Sequence, residues 1–247
     1  MSQSNLGYIS KIEPFGTFDG PGIRSIIFLS GCPLRCVYCH NPETWQAHIG
    51  NRYTATELTE MALKNKPYYG SNGGVTFSGG EPLNQPEFLL ECLKSLKAAG
   101  IHTALDTSGY SLSPLLPEIL EYTDLIIYDL KAADAALYEK ITSRKIEVTE
   151  KFLELAQKQG TPLWIRQVLV PHLNDNQVNL LVTAQRIAKL SNVEKIEILP
   201  YHTLGKSKYE TLEYDYPLGN TPAMSMSEGQ KWQDQLIDLI SRIQSTE

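Results

Sequence analysis

Long apolar runs are missing from these 247 residues, and no stretch approaches the ~20 residues that a membrane-spanning helix needs. A cationic start followed by an apolar core is missing too. The opening MSQSNLGYIS is polar, which argues against a secretory signal and for a cytoplasmic protein that does not partner a membrane. Basic charge is not in surplus: 22 Lys and Arg face 28 Asp and Glu, and the formal net charge of −6 argues against an extended surface for nucleic acid. No Pro/Gly/Ser-rich linker, charge run or repeat divides the chain, so residues 1–247 are expected to form a single domain. With 42% hydrophobic residues it has the means to bury a core without disulfide or zinc staples. Cysteine is scarce, at 4 residues, yet Cys32, Cys36 and Cys39 fall within one short stretch. In a chain without an export signal, such crowding suggests thiols committed to metal or redox work.

What is present is an alternation of short β-branched or apolar runs with longer amphipathic segments. Strands are expected over 24–30, 74–78, 102–106, 124–129, 163–169 and 195–199, and helices over 54–65, 86–99, 114–122, 150–159 and 177–190. Strand and helix repeated in this way imply an α/β fold with a parallel sheet, open or closed into a complete or partial barrel. In both architectures ligands collect at the carboxyl ends of the strands. Those ends carry GCPLRCVYCHN after the first strand, GGEP after the second, TSG after the third, LK after the fourth and PYH after the sixth. Residues 213–226 read as a loop. The C-terminal extension carries an amphipathic helix at about 227–244, with Trp232, Leu236, Leu239, Ile240 and Ile243 on its apolar positions, expected to pack on the core at about 16–209.

Cys32-x3-Cys36-x2-Cys39 offers three soft thiolates, the ligand type of iron–sulfur clusters and of zinc. Three ligands leave one corner of a four-iron cube open to a further molecule. The zinc alternative would need His40 or Cys92 as fourth ligand. His40 is awkwardly adjacent to Cys39, Cys92 sits on the apolar face of its helix as a small core residue, and no second cysteine pair lies down the chain.

The stretch Gly20-Pro21-Gly22-Ile23-Arg24, then Phe28, then Gly31-Cys32-x3-Cys36-x2-Cys39-His40-Asn41 resembles the signature of the glycyl radical enzyme activases of the radical SAM superfamily. DLIIYDLK, WIRQVLVP and IEILPYHTLGKSKY are similar to segments of that family in the same order, so the likeness runs from about residue 16 to residue 209. The resemblance implies a partial (β/α)6 barrel of the radical SAM type. It implies a 4Fe-4S cluster on Cys32, Cys36 and Cys39 with one open iron, and S-adenosylmethionine (SAM) as the second cofactor. By the same resemblance, Gly79 and Gly80 present backbone to the SAM ammonium, Asp129, Leu130 and Lys131 serve its carboxylate, and Tyr38, Cys39, His40 and His202 border it. Asp106, Thr107 and Asp129 match the family's monovalent-cation site, although Asp106 also suits a cap on the turn at Ser108-Gly109. Asp19 is a turn former or a contact to the substrate protein; Arg166 is an ion-pair partner or a holder of substrate backbone. The implied activity is SAM-dependent generation of a glycyl radical on a partner enzyme, with pyruvate formate-lyase the expected target and flavodoxin or ferredoxin the electron donor. The rivals are an activase of another glycyl radical enzyme, which commonly carries additional cysteine-rich inserts, a small-molecule radical enzyme such as a deazaguanine synthase, and a non-catalytic iron–sulfur redox sensor.

Overall fold

The structure is a computed structural model and describes residues 5–246. The first four residues of the polar N-terminal stretch, and residue 247, lie outside the described residues. In chain order the elements are β1 (Gly7–Gly16), β2 (Arg24–Leu29), β3 (Asn51–Tyr53), α1 (Ala55–Tyr69), β4 (Gly74–Gly79), α2 (Pro86–Ala98), β5 (His102–Thr107), α3 (Leu116–Glu121), β6 (Leu125–Asp129), α4 (Ala135–Thr142), α5 (Glu147–Gln159), β7 (Leu163–Leu169), α6 (Gln177–Ala188), β8 (Val193–Pro200), α7 (Lys206–Thr211) and α8 (Met226–Gln244). The chain divides into two compact units. The first is Met1–Pro33, Thr44–Tyr128 and Val148–Pro162; the second is Leu34–Glu43, Asp129–Glu147 and Leu163–Glu247. No helix of the described residues is long and apolar enough to cross a membrane.

In the first unit the strands run in the order β3-β1-β2-β4-β5-β6. The run from β2 to β6 is parallel, as the alternation with helices predicts. Strands such as RSIIFL and LIIYD are apolar without alternation because both faces are covered, and Ile26, Ile27, Val75, Phe77, Ile126 and Ile127 are almost wholly buried. α2 buries Phe88, Leu89, Cys92, Leu93 and Leu96 on one stripe, so Cys92 is a core residue with no exposed surface. α1 begins at a capping box in which Thr54 and Glu57 satisfy each other's backbone N–H.

β1 and β3 were not among the expected strands. β1 pairs antiparallel with both β2 and β3, and its register slips between Ile9 and Lys11 and again between Glu13 and Gly16. Such bulges, with Pro14 inside the strand, break the period of two on which a strand is recognised. β3 has only three residues.

Arg24, the last residue of the GPGIR stretch, lies with no exposed surface at the start of β2. Its guanidinium donates to Thr76 Oγ1 (2.6 Å), to the carbonyl of Val75 (2.8 Å) and to the carbonyls of Pro21 and Asn72 (3.2 and 3.3 Å). Thr76 in turn donates to the carbonyl of Asp19 (2.6 Å), so the Asp19-Gly20-Pro21-Gly22 turn is fastened to β4 through its backbone. Burial pulls the Arg24 pKa down to about 10, which leaves it charged at neutral pH.

In the second unit β7 and β8 pair in parallel, and α8 packs on α6 and β8. Gly229 of α8 lies so close to Pro200 that a Cβ there would stand 2.3 Å from its ring. Gln233 Oε1 accepts from the backbone N–H of Ile198 in β8 (2.9 Å). The C-terminal helix therefore covers β8, in keeping with its amphipathic sequence, and residues 213–225 carry neither helix nor strand.

Candidate active site

In the first unit the end of β4 is pressed against the start of the cysteine loop. Gly80 N–H donates to the carbonyl of Leu29 (2.8 Å), and Glu81 N–H to that of Gly31 (2.9 Å). Gly79 has φ of +107°, and a Cβ there would lie 2.5 Å from Leu29 N and O; at Gly80 it would lie 2.5 Å from Gly31 O. The two glycines thus meet a demand of the chain's own packing, besides any approach to a ligand. Beyond them, Gly31 and Cys32 donate to the carbonyls of Thr44 and Trp45 (2.8 and 3.2 Å), fixing the backbone of the first cysteine.

Glu81 was not singled out in the sequence, and it carries much of this arrangement. Its carboxylate, 1% exposed, accepts from Thr107 Oγ1 (2.5 Å), Ser108 Oγ (2.5 Å), Ser108 N–H (3.0 Å) and Leu83 N–H (3.2 Å). It joins the GGEP turn to the TSG turn. Burial raises its pKa, and these donors, which favour the ionised form, oppose the rise. No local pattern marks Glu81, because its Thr107 and Ser108 donors lie 26 and 27 positions away. Glu81→Gln, which turns one acceptor into a donor facing donors, is expected to destabilise the protein by about 1–3 kcal/mol in urea unfolding.

Asp106 Oδ2 accepts from Ser78 Oγ (2.6 Å). At the Ser108-Gly109 turn, Thr107 Oγ1 accepts from Gly109 N–H (2.9 Å).

In the second unit the rest of the cysteine loop is tied to the end of α4. Arg35 and Val37 donate their N–H groups to the carbonyls of Thr142 and Ile141, each at 2.9 Å, using acceptors that a helix C-terminus leaves free. Cys39 N–H closes a turn onto the carbonyl of Cys36 (2.9 Å). α4, capped by Asp134 at Leu137 N–H, was not expected from the sequence; eight residues are too few to show a clear helical period.

Asp129 and Lys131 meet as their alternation suggests, with Lys131 Nζ donating to Asp129 Oδ2 at 2.6 Å. The Lys131 side chain is only 13% exposed and lies 5.8 Å from the centre of the Tyr38 ring. Burial alone would lower the lysine pKa, but the Asp129 carboxylate, then Tyr38 and Cys36, override it and hold the amine well above its ordinary value. Burial pushes the Cys36 thiol up to about 12, against the pull of Lys131, so in the absence of metal it is protonated. The Tyr38 hydroxyl is buried with no hydrogen-bond partner. Leu130 is buried, and its N–H donates to the carbonyl of Arg166 (2.8 Å).

His40 and His202 meet edge to face with ring centres 4.6 Å apart. Burial, then His202 and Lys208, lower the His40 pKa, with Glu43 opposing, so His40 is neutral at physiological pH. Arg166 is buried and its Nε donates to Glu197 Oε2 (2.9 Å), while Lys195 Nζ pairs with the other carboxylate oxygen, Oε1 (2.6 Å).

Cys32, Cys36 and Cys39 take part in no disulfide among the described residues. Among the described residues no three His, Cys, Asp or Glu side chains already stand as a metal-binding group. The donor chemistry nevertheless fits an iron–sulfur cluster and a carboxylate-bearing cofactor. Soft sulfur ligands come from one short loop. Beside two of them stand an unpartnered buried hydroxyl, Tyr38 Oη, and a buried ammonium with donors beyond the one given to Asp129.

Residues 26–183 match the Radical SAM superfamily. The chain is 47% identical over 236 residues to the pyruvate formate-lyase-activating enzyme of Clostridium pasteurianum, covering 95% of this chain and 99% of that protein. It is 43% identical over 222 residues to the enzyme of the same name from Staphylococcus epidermidis, covering 87% and 88%. A solved domain of the pyruvate-formate lyase-activating enzyme of Bacteroides vulgatus superposes with a TM-score of 0.55 at 28% identity, over 68% of this chain and 94% of that one. The chain belongs to the radical SAM superfamily and, within it, to the family of pyruvate formate-lyase-activating enzymes. It is therefore an enzyme with the α/β fold of the radical SAM type, and membership implies a 4Fe-4S cluster and SAM as its cofactors.

Proposed function

We propose that this chain activates pyruvate formate-lyase, acting in the anaerobic cytoplasm as a single radical SAM domain over residues 1–247, with flavodoxin or ferredoxin as electron donor and neither nucleic acid nor membrane as partner. The observation that carries the reading is the grouping, within one compact unit, of Cys36, the unpartnered Tyr38 hydroxyl and the Lys131–Asp129 pair. Cys32, Cys36 and Cys39 would hold the cluster and leave one iron without a protein ligand. When bound, the cluster and SAM supply one-electron reductive cleavage and a 5′-deoxyadenosyl radical that takes hydrogen from a glycine Cα of the partner.

The chain's own residues bind, orient and exclude water. Lys131, kept charged by Asp129, offers a fixed cation to the SAM carboxylate in a poorly hydrated place where such a contact is strong. The Gly79 and Gly80 carbonyls accept from its ammonium. Tyr38, Cys39, neutral His40, Leu130 and His202 border the rest of the molecule. Asp106, Thr107 and Asp129 are the oxygen donors for a monovalent cation. Asp19, on its fastened turn, and Arg166, oriented by Glu197, are the contacts to the substrate protein.

Anaerobic incubation of reconstituted protein, SAM and a low-potential reductant with pyruvate formate-lyase tests the reading by electron paramagnetic resonance (EPR). A glycyl-radical doublet on pyruvate formate-lyase is expected. A doublet that forms only on a different glycyl radical enzyme would reassign the substrate, and none on any would overturn the proposal.

A further inference from the structure

The segment HTLGKSKY follows the sixth expected strand, at residues 202–209. In the structure the residues after His202 close on the cysteine loop. Lys208 Nζ donates to Asn41 Oδ1 (2.8 Å) and Glu43 Oε1 (2.6 Å). Tyr209, with no exposed surface, donates its hydroxyl to the carbonyl of Cys39 (3.2 Å), 170 residues away along the chain. Gly205 lets the backbone come in: a Cβ there would stand 3.1 Å from His40 Nδ1 and 3.4 Å from the Cys39 carbonyl. The clamp is itself braced from the C-terminal extension. Tyr216 meets Tyr209 edge to face at 4.9 Å, and its hydroxyl shares a 2.5 Å hydrogen bond with that of Tyr201.

These contacts converge on the segment from Cys39 to Glu43, whereas α4 holds the loop at Arg35 and Val37. The loop is thus gripped at both ends, by backbone at one and by side chains at the other. We infer that α7, through Lys208 and Tyr209 and with Tyr216 behind them, is a positioning element that sets the third cluster cysteine and His40 in the geometry that the cluster and SAM require. This rests on the assignment of Cys39 as a cluster ligand. The residues act through the Cys39 carbonyl and the side chains just beyond it. Partners one step removed from a metal ligand typically change metal affinity or activity by about 10–100-fold.

The test uses the full chain, reconstituted without oxygen, as wild type, Tyr209→Phe, Lys208→Met and Lys208→Arg. Iron loss to a chelator is timed, and the EPR spectrum of the reduced cluster is recorded before and after SAM is added. Tyr209→Phe keeps the ring on Tyr216 and removes one hydroxyl, so the fold is retained, as a thermal melt would verify. The expected result is iron loss about tenfold faster in Tyr209→Phe and Lys208→Met, with an altered SAM-induced EPR change, and restoration by Lys208→Arg, whose fork reaches both acceptors. Wild-type chelation rates and spectra in folded Tyr209→Phe would overturn the inference while leaving the cluster assignment standing. A wild-type protein that assembles no cluster would overturn both.

Discussion

Cys36→Ala is expected to hold no stable 4Fe-4S cluster after anaerobic reconstitution and to lose activation of its partner by more than about 100-fold. Changing a residue one step behind a metal ligand already costs about 10–100-fold, and removing a ligand should exceed that. The effect should be large at this position in particular. Cys36 is buried beside Lys131, and its thiol, pushed up to about 12 by burial, becomes a ligand only when iron displaces the proton. Cys92→Ala is the matched control. Cys92 lies without exposed surface on the apolar stripe of α2, and burial holds its thiol well above the ordinary range. It should keep wild-type iron content and lose only about 1 kcal/mol of stability, the cost of a small packing defect. A zinc site with Cys92 as fourth ligand would give the opposite result, and the buried placement of Cys92 already argues against it. Iron and sulfide per chain, with the visible absorbance of the cluster, decide between them.

Lys131→Met should bind the cluster normally and lose SAM. The ammonium is nearly buried, its hydrogen bond runs to Asp129, and the Tyr38 hydroxyl beside it has no partner. Truncating one member of a buried, hydrogen-bonded charge pair costs about 2–5 kcal/mol, which corresponds to a SAM affinity lowered by roughly 30-fold or more. Part of that loss comes from Asp129, left as an unbalanced carboxylate facing the incoming SAM carboxylate. Asp129→Asn in the Lys131→Met background should therefore recover part of the affinity. Equilibrium binding of SAM to the reconstituted proteins measures both steps, and an unchanged affinity in Lys131→Met would remove Lys131 from the site.

The parts of this protein that were legible in the sequence are those in which neighbouring residues share one task. β2, β4 and β6 were expected because nearly unbroken apolar runs mark strands covered on both faces, and β5, β7 and β8 because short β-branched or apolar runs alternate with helical segments; the groups at their carboxyl ends follow from the parallel arrangement. The cysteine loop and the Asp129–Lys131 pair are local patterns of the same kind. β1 escaped because two register slips and Pro14 erase its alternation, and the short helices α4 and α7, of eight and six residues, also escaped. Glu81 and Tyr209 escaped for a different reason. A glutamate that accepts from residues 26 and 27 positions away, and a tyrosine that reaches the Cys39 carbonyl across 170, have no local signature, since their purpose exists only once distant loops have been brought together. Gly79 and Gly80 were legible as glycines that permit close approach; the structure adds that the chain itself is one of the things approached.

The central claim is that the cysteine loop and the residues around it cleave SAM reductively to make a radical. The most direct measurement is 5′-deoxyadenosine formed by the reduced, reconstituted protein with SAM and pyruvate formate-lyase under strict exclusion of oxygen, in wild type and in Cys36→Ala. The account predicts 5′-deoxyadenosine from wild type, accompanied by the glycyl-radical signal on the partner, and none from Cys36→Ala. A wild-type protein with its cluster reduced and SAM bound that forms no 5′-deoxyadenosine in the presence of its partner would contradict it.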